Sequence, residues 1–222
     1  MLISIHVPKC AGTSFRLLID KLYGNRVWHN YGIIFSRESA RTELIPAGTQ
    51  IIHGHFLADA FDGVLPSRRY ITWVRHPVHR LVSNYYHFLR SPDMRDDCCR
   101  QLHERKLSIR QFADLDWMQN EMCRYLAGKA IDEFEFVGVS EEFAQSMGLF
   151  CSAYRFVRVS DFPRANTNPE TTDGHYALSE GDFAYIAERN KADLALYYKA
   201  VLRLRERILA PPKLADSESS AA

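Results

Sequence analysis

The sequence predicts a single α/β domain built on a central, mainly parallel sheet, with helices layered on both sides. Three observations support this. Short apolar runs rich in β-branched residues alternate with longer segments of helical periodicity, the pattern of strand–helix–strand units. The segments richest in polar chemistry fall at the ends of the strand candidates, where parallel sheets bind ligands. The chain has 222 residues, 46% hydrophobic and 25% charged, enough to bury one sizeable core.

Leu2 to Val7 reads as the first strand, ending at Pro8. Thr13 and Ser14 are placed to cap a helix whose Phe15, Leu18, Ile19 and Leu22 recur at helical spacing, with Gly24-Asn25 as its stop. Ile51 to Phe56 and Tyr70 to Val74 are the second and third strands. Pro77 opens a helix, where proline costs no hydrogen bond, and Val78, Leu81, Val82, Tyr85 and Leu89 form its apolar stripe. Residues 93–133 are charged and helical, and read as an insertion or a cap on the acceptor side. Phe134 to Val139 is a fourth strand, Ser140 a cap for the next helix, and Arg155 to Val159 a fifth strand. A loop-like stretch over 161–178 precedes two helices near 179–189 and 191–209, the second stopped by Pro211-Pro212. The domain is expected to span 1–210. Residues 211–222 end in the small, polar run Ala215 to Ala222 and are expected to be a disordered tail.

A net charge of +1 gives no support for nucleic-acid binding. Charge is nevertheless uneven. Between Gly63 and Pro92 there is no Asp or Glu, while Arg68, Arg69, Arg75, Arg80 and Arg90 fall there with His76, His79 and His87. Such a stretch attracts an anion, or is simply a solvated basic face. Five cysteines without CxxC spacing argue against a disulfide framework or a zinc ribbon. No apolar run approaches the ~20 residues of a membrane span, and no signal-peptide pattern opens the chain. A cytoplasmic location is the expectation.

The segment His6 to Ser14 joins strand to helix. Small residues at 11, 12 and 13 let the backbone approach a ligand, and helix N–H groups and dipole favour an anion there. Lys9 adds a positive charge, Thr13 and Ser14 hydroxyl donors. The ending Gly-Lys-Ser/Thr of a Walker A loop is missing, so the cradle suits an anion that arrives without a metal. Pro-Lys-x-Ala-Gly-Thr-Ser directly after the first strand resembles the 5′-phosphosulfate loop of carbohydrate sulfotransferases. The resemblance implies that Lys9 contacts the phosphosulfate of 3′-phosphoadenosine-5′-phosphosulfate (PAPS), and that the N–H groups of Ala11, Gly12, Thr13 and Ser14 cradle its 5′-phosphate.

Arg75 and Ser83 lie eight residues apart across a strand end and the following helix. A guanidinium fork suits a phosphate oxygen pair. Arg-x-Pro-x-x-Arg-x-x-Ser-x-Tyr is similar to the 3′-phosphate element of the same family, which implies that Arg75 and Ser83 hold the 3′-phosphate of PAPS. Weaker likenesses occur at Asn120 to Gly128, Phe136 to Phe143, Asn166 to Pro169 and Asn190 to Tyr197. The implied fold is the P-loop-nucleotide-binding-like sulfotransferase fold.

His53 and His55 share one side of the second strand, with Gly54 allowing close approach. An imidazole of near-neutral pKa suits a base for a hydroxyl. His-Gly-His resembles the catalytic segment of heparan sulfate 2-O-sulfotransferase-like enzymes. By that likeness His55 is the general base, His53 orients it or meets the acceptor, and the acceptor is a carbohydrate hydroxyl. The expected reaction is in-line displacement at sulfur, with no metal. His-x-His is also a metal-ligand spacing, but no third ligand is evident, and both rings also suit a buried scaffold.

Two rivals stay open at this point. Cys10 to Arg16 fits the Cys-x5-Arg pattern of a cysteine phosphatase, with the thiolate at a helix N-terminus. A non-catalytic nucleotide-binding module is the other.

Overall fold

The computed structural model of the protein describes residues 1–31, 41–154, 171–172, 175–176 and 178–209. Its sheet contains β1 (Leu2–Ile5), β2 (Val27–Asn30), β3 (Ile51–Gly54), β4 (Arg69–Val74) and β5 (Phe134–Val139). All four pairings are parallel, in the order β2-β3-β1-β4-β5. In register, Ile3 of β1 lies between Ile52 of β3 and Tyr70 of β4. β1 and β3 are buried along their whole length, as a strand covered on both faces must be.

The helices are α1 (Gly12–Tyr23), α2 (Pro77–Arg90), α3 (Asp97–Arg105), α4 (Ile109–Ala113), α5 (Glu121–Leu126) and α6 (Phe143–Ala153). After a two-residue pairing of Thr171–Thr172 with His175–Tyr176 come α7 (Glu180–Arg189) and α8 (Lys191–Leu209). Phe15 of α1 meets Phe150 of α6 at 5.0 Å and Trp73 of β4 at 5.6 Å between ring centroids, so α1 and α6 share one face of the sheet. Each such buried ring contributes about 1.5–3 kcal/mol. A second, smaller core joins Val78, Leu81 and Val82 of α2 to Leu102, Phe112 and Ile186. The helical segment 93–133 thus rests on α2 with an apolar contact of its own.

The expected mainly parallel sheet is present, wholly parallel among the described residues, and it includes β2, which the sequence did not announce. The expected fifth strand at Arg155 to Val159 lies outside the described residues, as do most of 161–178 and all of 211–222. Thr13 and Ser14 do not cap α1. They sit in its first turn, and Ala11, in the left-handed region at φ 61°, takes the cap position without a side-chain bond. Ser140 does not cap α6 either. Its N–H and hydroxyl both donate to the Val74 carbonyl, at 2.9 and 3.0 Å, which prolongs the β4–β5 pairing. Helix α6 begins later, at Phe143.

The segments around Asn120 and Asn190 form a reciprocal cap. The Asn120 side-chain oxygen accepts from the N–H groups of Ala192 and Asp193, at 3.0 and 3.2 Å. The Asp193 carboxylate accepts from Met122 and Cys123 at the start of α5, at 3.0 and 2.8 Å. The orphan donors of two helix starts are thereby satisfied at once. Beside this stitch, Arg80 and Glu121 form a fully buried ion pair, and Arg80 also donates to the Met118 carbonyl. Arg80→Ala leaves Glu121 buried without its partner and is expected to cost about 3–5 kcal/mol. Urea unfolding followed by circular dichroism measures this directly.

Candidate active site

In the order of strands, β1 leads outward to β2 on one side, and β4 leads to β5 on the other. The loops after β1 and β4 therefore diverge, opening a crevice at the switch point. The loop after β1 is the candidate anion loop. Lys9 and Ala11 both adopt the left-handed conformation, at φ 66° and 61°. Non-glycine residues there cost on the order of 1–3 kcal/mol each, and the turn they enforce aims successive N–H groups into a concavity. Phe15 is the first residue to enter the α1 ladder, donating to the Ala11 carbonyl at 3.1 Å. The N–H groups of Gly12, Thr13 and Ser14 lead the helix with no side-chain cap and no acid in the first turn. Burial, then the charges of Arg75 and Arg90, push the Lys9 ammonium down to about 8. Burial beside like charges makes Lys9 a candidate functional residue.

Arg75 leaves the end of β4 and donates to the Lys9 carbonyl at 3.3 Å, bridging the two loops. Ser83, almost fully buried, lies in the second turn of α2. The basic stretch around them is divided by pairing. Arg68 lies 3.4 Å from Asp62, Arg69 lies 3.2 Å from Glu135, and Arg80 is held by Glu121. Arg75 instead reaches the loop after β1, with Glu141 also near it, while these three arginines are paired within the scaffold.

The third element is a cluster of rings at the end of β3. His53 is 1% exposed, and its Nδ1 is bonded to the Ser4 hydroxyl at 2.8 Å. His55, at the mouth of the cluster, packs edge-on against His6 at 4.5 Å, Tyr31 at 4.8 Å and Tyr125 at 6.3 Å. Among the described residues, Nε2 of both His53 and His55 is buried without a hydrogen-bond partner. Burial lowers the pKa of His55 to about 4 and that of His53 well below the usual range, with His29, His55 and Arg16 adding to the second effect. Both imidazoles are neutral at pH 7, and His55, at about 4, is a weaker base than the near-neutral imidazole expected from the sequence. Gly54 has a different task from the one expected. A Cβ there would strike the Asn30 carbonyl, so the glycine lets β2 pack closely against β3. No group of three or more His, Cys, Asp or Glu side chains among the described residues is arranged to hold a metal ion.

The two ends of the Cys-x5-Arg pattern part company. Cys10 is fully buried, and burial pushes its thiol up, opposite to what a thiolate nucleophile needs. The charges near Cys10 are Arg80, Arg75, Glu141 and Glu121, whereas Arg16 lies near His6, His53 and Tyr31. Sequence reasoning missed His6 and Tyr31 as members of the site. For His6 a signal existed, because it is the last residue before the anion loop.

A candidate anion loop, a bridging arginine and a neutral histidine cluster thus stand at the ends of adjacent parallel strands. A family model described as the sulfotransferase family matches residues 1–199, and the chain belongs to that family. Its members transfer sulfuryl groups and generally use PAPS as donor. Comparison with curated proteins returns no match. No helix among the described residues is long and apolar enough to cross a membrane.

Proposed function

We propose that this protein transfers the sulfuryl group of PAPS to a hydroxyl of a carbohydrate acceptor, with His55 as general base. One observation carries the proposal: the three constellations stand at the carboxyl ends of three adjacent strands, β3, β1 and β4. The likeness of His53-Gly54-His55 to heparan sulfate 2-O-sulfotransferase-like enzymes supports the carbohydrate acceptor.

The residues present suit the donor. Lys9 and the N–H groups from Ala11 to Ser14 would hold the 5′-phosphosulfate, and Arg75 and Ser83 the 3′-phosphate. When bound, PAPS supplies an activated sulfuryl group and a stable leaving group. Lys9 neutralises charge on the leaving side, where preorganised donors act most strongly. His55, neutral and buried, takes the acceptor proton on the opposite side, and His53 fixes the strand end through Ser4. The segment 93–133 would face the acceptor. Its Tyr125 touches His55, and Trp117 touches Tyr125 at 6.5 Å, at the wall of a polar groove of about 430 Å³. The buried thiol of Cys10 counts against a phosphatase.

The pH dependence of kcat/KM reports the free-enzyme groups. His55 must be neutral, so activity is lost as pH falls through about 4. Lys9 must be charged, so activity is lost as pH rises through about 8. The expected profile is a plateau between these limits. Bound donor charge favours the ammonium form of Lys9, so the alkaline limb of kcat should lie above that of kcat/KM. A titration at saturating and limiting PAPS measures both.

The deciding experiment is calorimetry with adenosine 3′,5′-bisphosphate, followed by transfer of radiolabelled sulfate from PAPS to a glycan array. Absence of nucleotide binding would overturn the proposal. Binding without transfer to any hydroxyl acceptor would favour the non-catalytic module.

A further inference from the structure

The reaction above makes no use of His6, yet this ring touches both halves of the site. The His6 backbone N–H donates to the Gly54 carbonyl at 2.8 Å, which fastens the end of β1 immediately before His55; the ring makes the other contacts. Its Nδ1 is bonded to the Tyr31 hydroxyl at 3.0 Å. The ring lies 4.5 Å from His55, edge to face, and stacks on His53 at 5.2 Å. The opposite edge, Cδ2 and Nε2, occupies the space where a Cβ of residue 12 would stand. Gly12 is thus a glycine because His6 lies against the first residue of α1.

His55 is consequently held between two rings, His6 and Tyr31, that are themselves hydrogen-bonded. Lys9 and Arg16 face His6 from the loop and α1, and His53 and His55 from β3. Together with burial these keep His6 neutral, so its Nδ1 and Nε2 offer one donor and one acceptor.

We propose that His6 is a positioning residue that couples the base to the anion loop: its ring sets the orientation of His55 and rests on Gly12, so occupancy of the loop and alignment of the base are set together. The proposal rests on the reading of His55 as the base. Side chains locked by packing and outer hydrogen bonds are what hold a reacting group in place, and misplacement by about 1 Å can cost ~100-fold in rate.

Three variants, His6→Phe, His6→Gln and Tyr31→Phe, test this with two readouts. The first is kcat and its pH profile, using PAPS and whichever glycan the array identifies. The second is the His55 imidazole signal in NMR, with and without adenosine 3′,5′-bisphosphate. In the unaltered protein the nucleotide is expected to shift the His55 signal. His6→Phe should abolish that shift, lower kcat by about 10–100-fold, and leave nucleotide affinity within about threefold. His6→Gln should restore part of both, because an amide can still bond Tyr31. Tyr31→Phe should lower kcat by less and move the acid limb. It keeps the test open if His6→Phe does not fold. A His55 signal that responds to nucleotide equally in His6→Phe, or an unchanged kcat and pH profile, would overturn the coupling. Full turnover in His55→Ala would instead defeat the base assignment, and the NMR response would still judge the coupling.

Discussion

His55→Ala is expected to lower kcat by about 10²–10⁴-fold while leaving the affinity for adenosine 3′,5′-bisphosphate unchanged, since that is the range a positioned base contributes. The asymmetry follows from geometry. His55 follows the last residue of β3, on the side of β1 away from Arg75, and it touches rings. The rings it touches, His6, Tyr31 and Tyr125, are not among the residues proposed to contact the donor. Calorimetry and single-turnover transfer, run on the same preparation, separate the two quantities. His53→Ala is the informative companion. It removes the bond to Ser4 and leaves a void in the core, so its effect should appear first in stability.

Arg75→Ala is expected to weaken nucleotide binding by about 10–150-fold, as the loss of a charge-assisted hydrogen bond worth ~1.5–3 kcal/mol requires. The same change removes the bridge to the Lys9 carbonyl and one of the charges that depress Lys9. The alkaline limb of kcat/KM should therefore move to higher pH, although the nucleotide binds less well. A mere loss of folding would not produce that shift. Arg75→Lys keeps the charge but not the planar fork, and should recover only part of the affinity. Isothermal titration with adenosine 3′,5′-bisphosphate across a pH series measures both effects.

The sequence made the sheet legible wherever strands are apolar runs bounded by turns, and the same holds for α2, α7 and α8, whose starts were placed within a residue or two. β2 escaped because Val27-Trp28-His29-Asn30 is short, mixed in polarity and sits at an edge, so no alternation marks it. The basic stretch misled in part. Whether an arginine is free to meet a ligand depends on acids far along the chain, such as Glu121 opposite Arg80. The loop residues Lys9 to Ser14 and Arg75 were legible as chemistry because their local pattern has few other uses. The difference between His53 and His55 was not. Period-two spacing puts both on one side, but β3 ends at Gly54, and burial then separates a fully buried ring, His53, from a half-buried one, His55. His6 was hidden for a similar reason, since its contacts with Gly12, Tyr31 and His55 arise only when three strand ends meet.

The reciprocal cap between α5 and α8 has a consequence for biosynthesis. Its bonds join residues about seventy positions apart, from Asn120 to Ala192 and from Asp193 to Met122. A nascent chain leaving the ribosome exposes the loop after β1 early, and β1, β3 and β4 can pair long before Asp193 is translated. Helix α5, which carries Tyr125 against His55, has no partner for its first N–H groups until then. The wall beside His55 is thus fastened late in synthesis, and a ribosome stalled shortly before Asn190 would hold a chain in which β1, β3 and β4 can pair with that wall still unfastened.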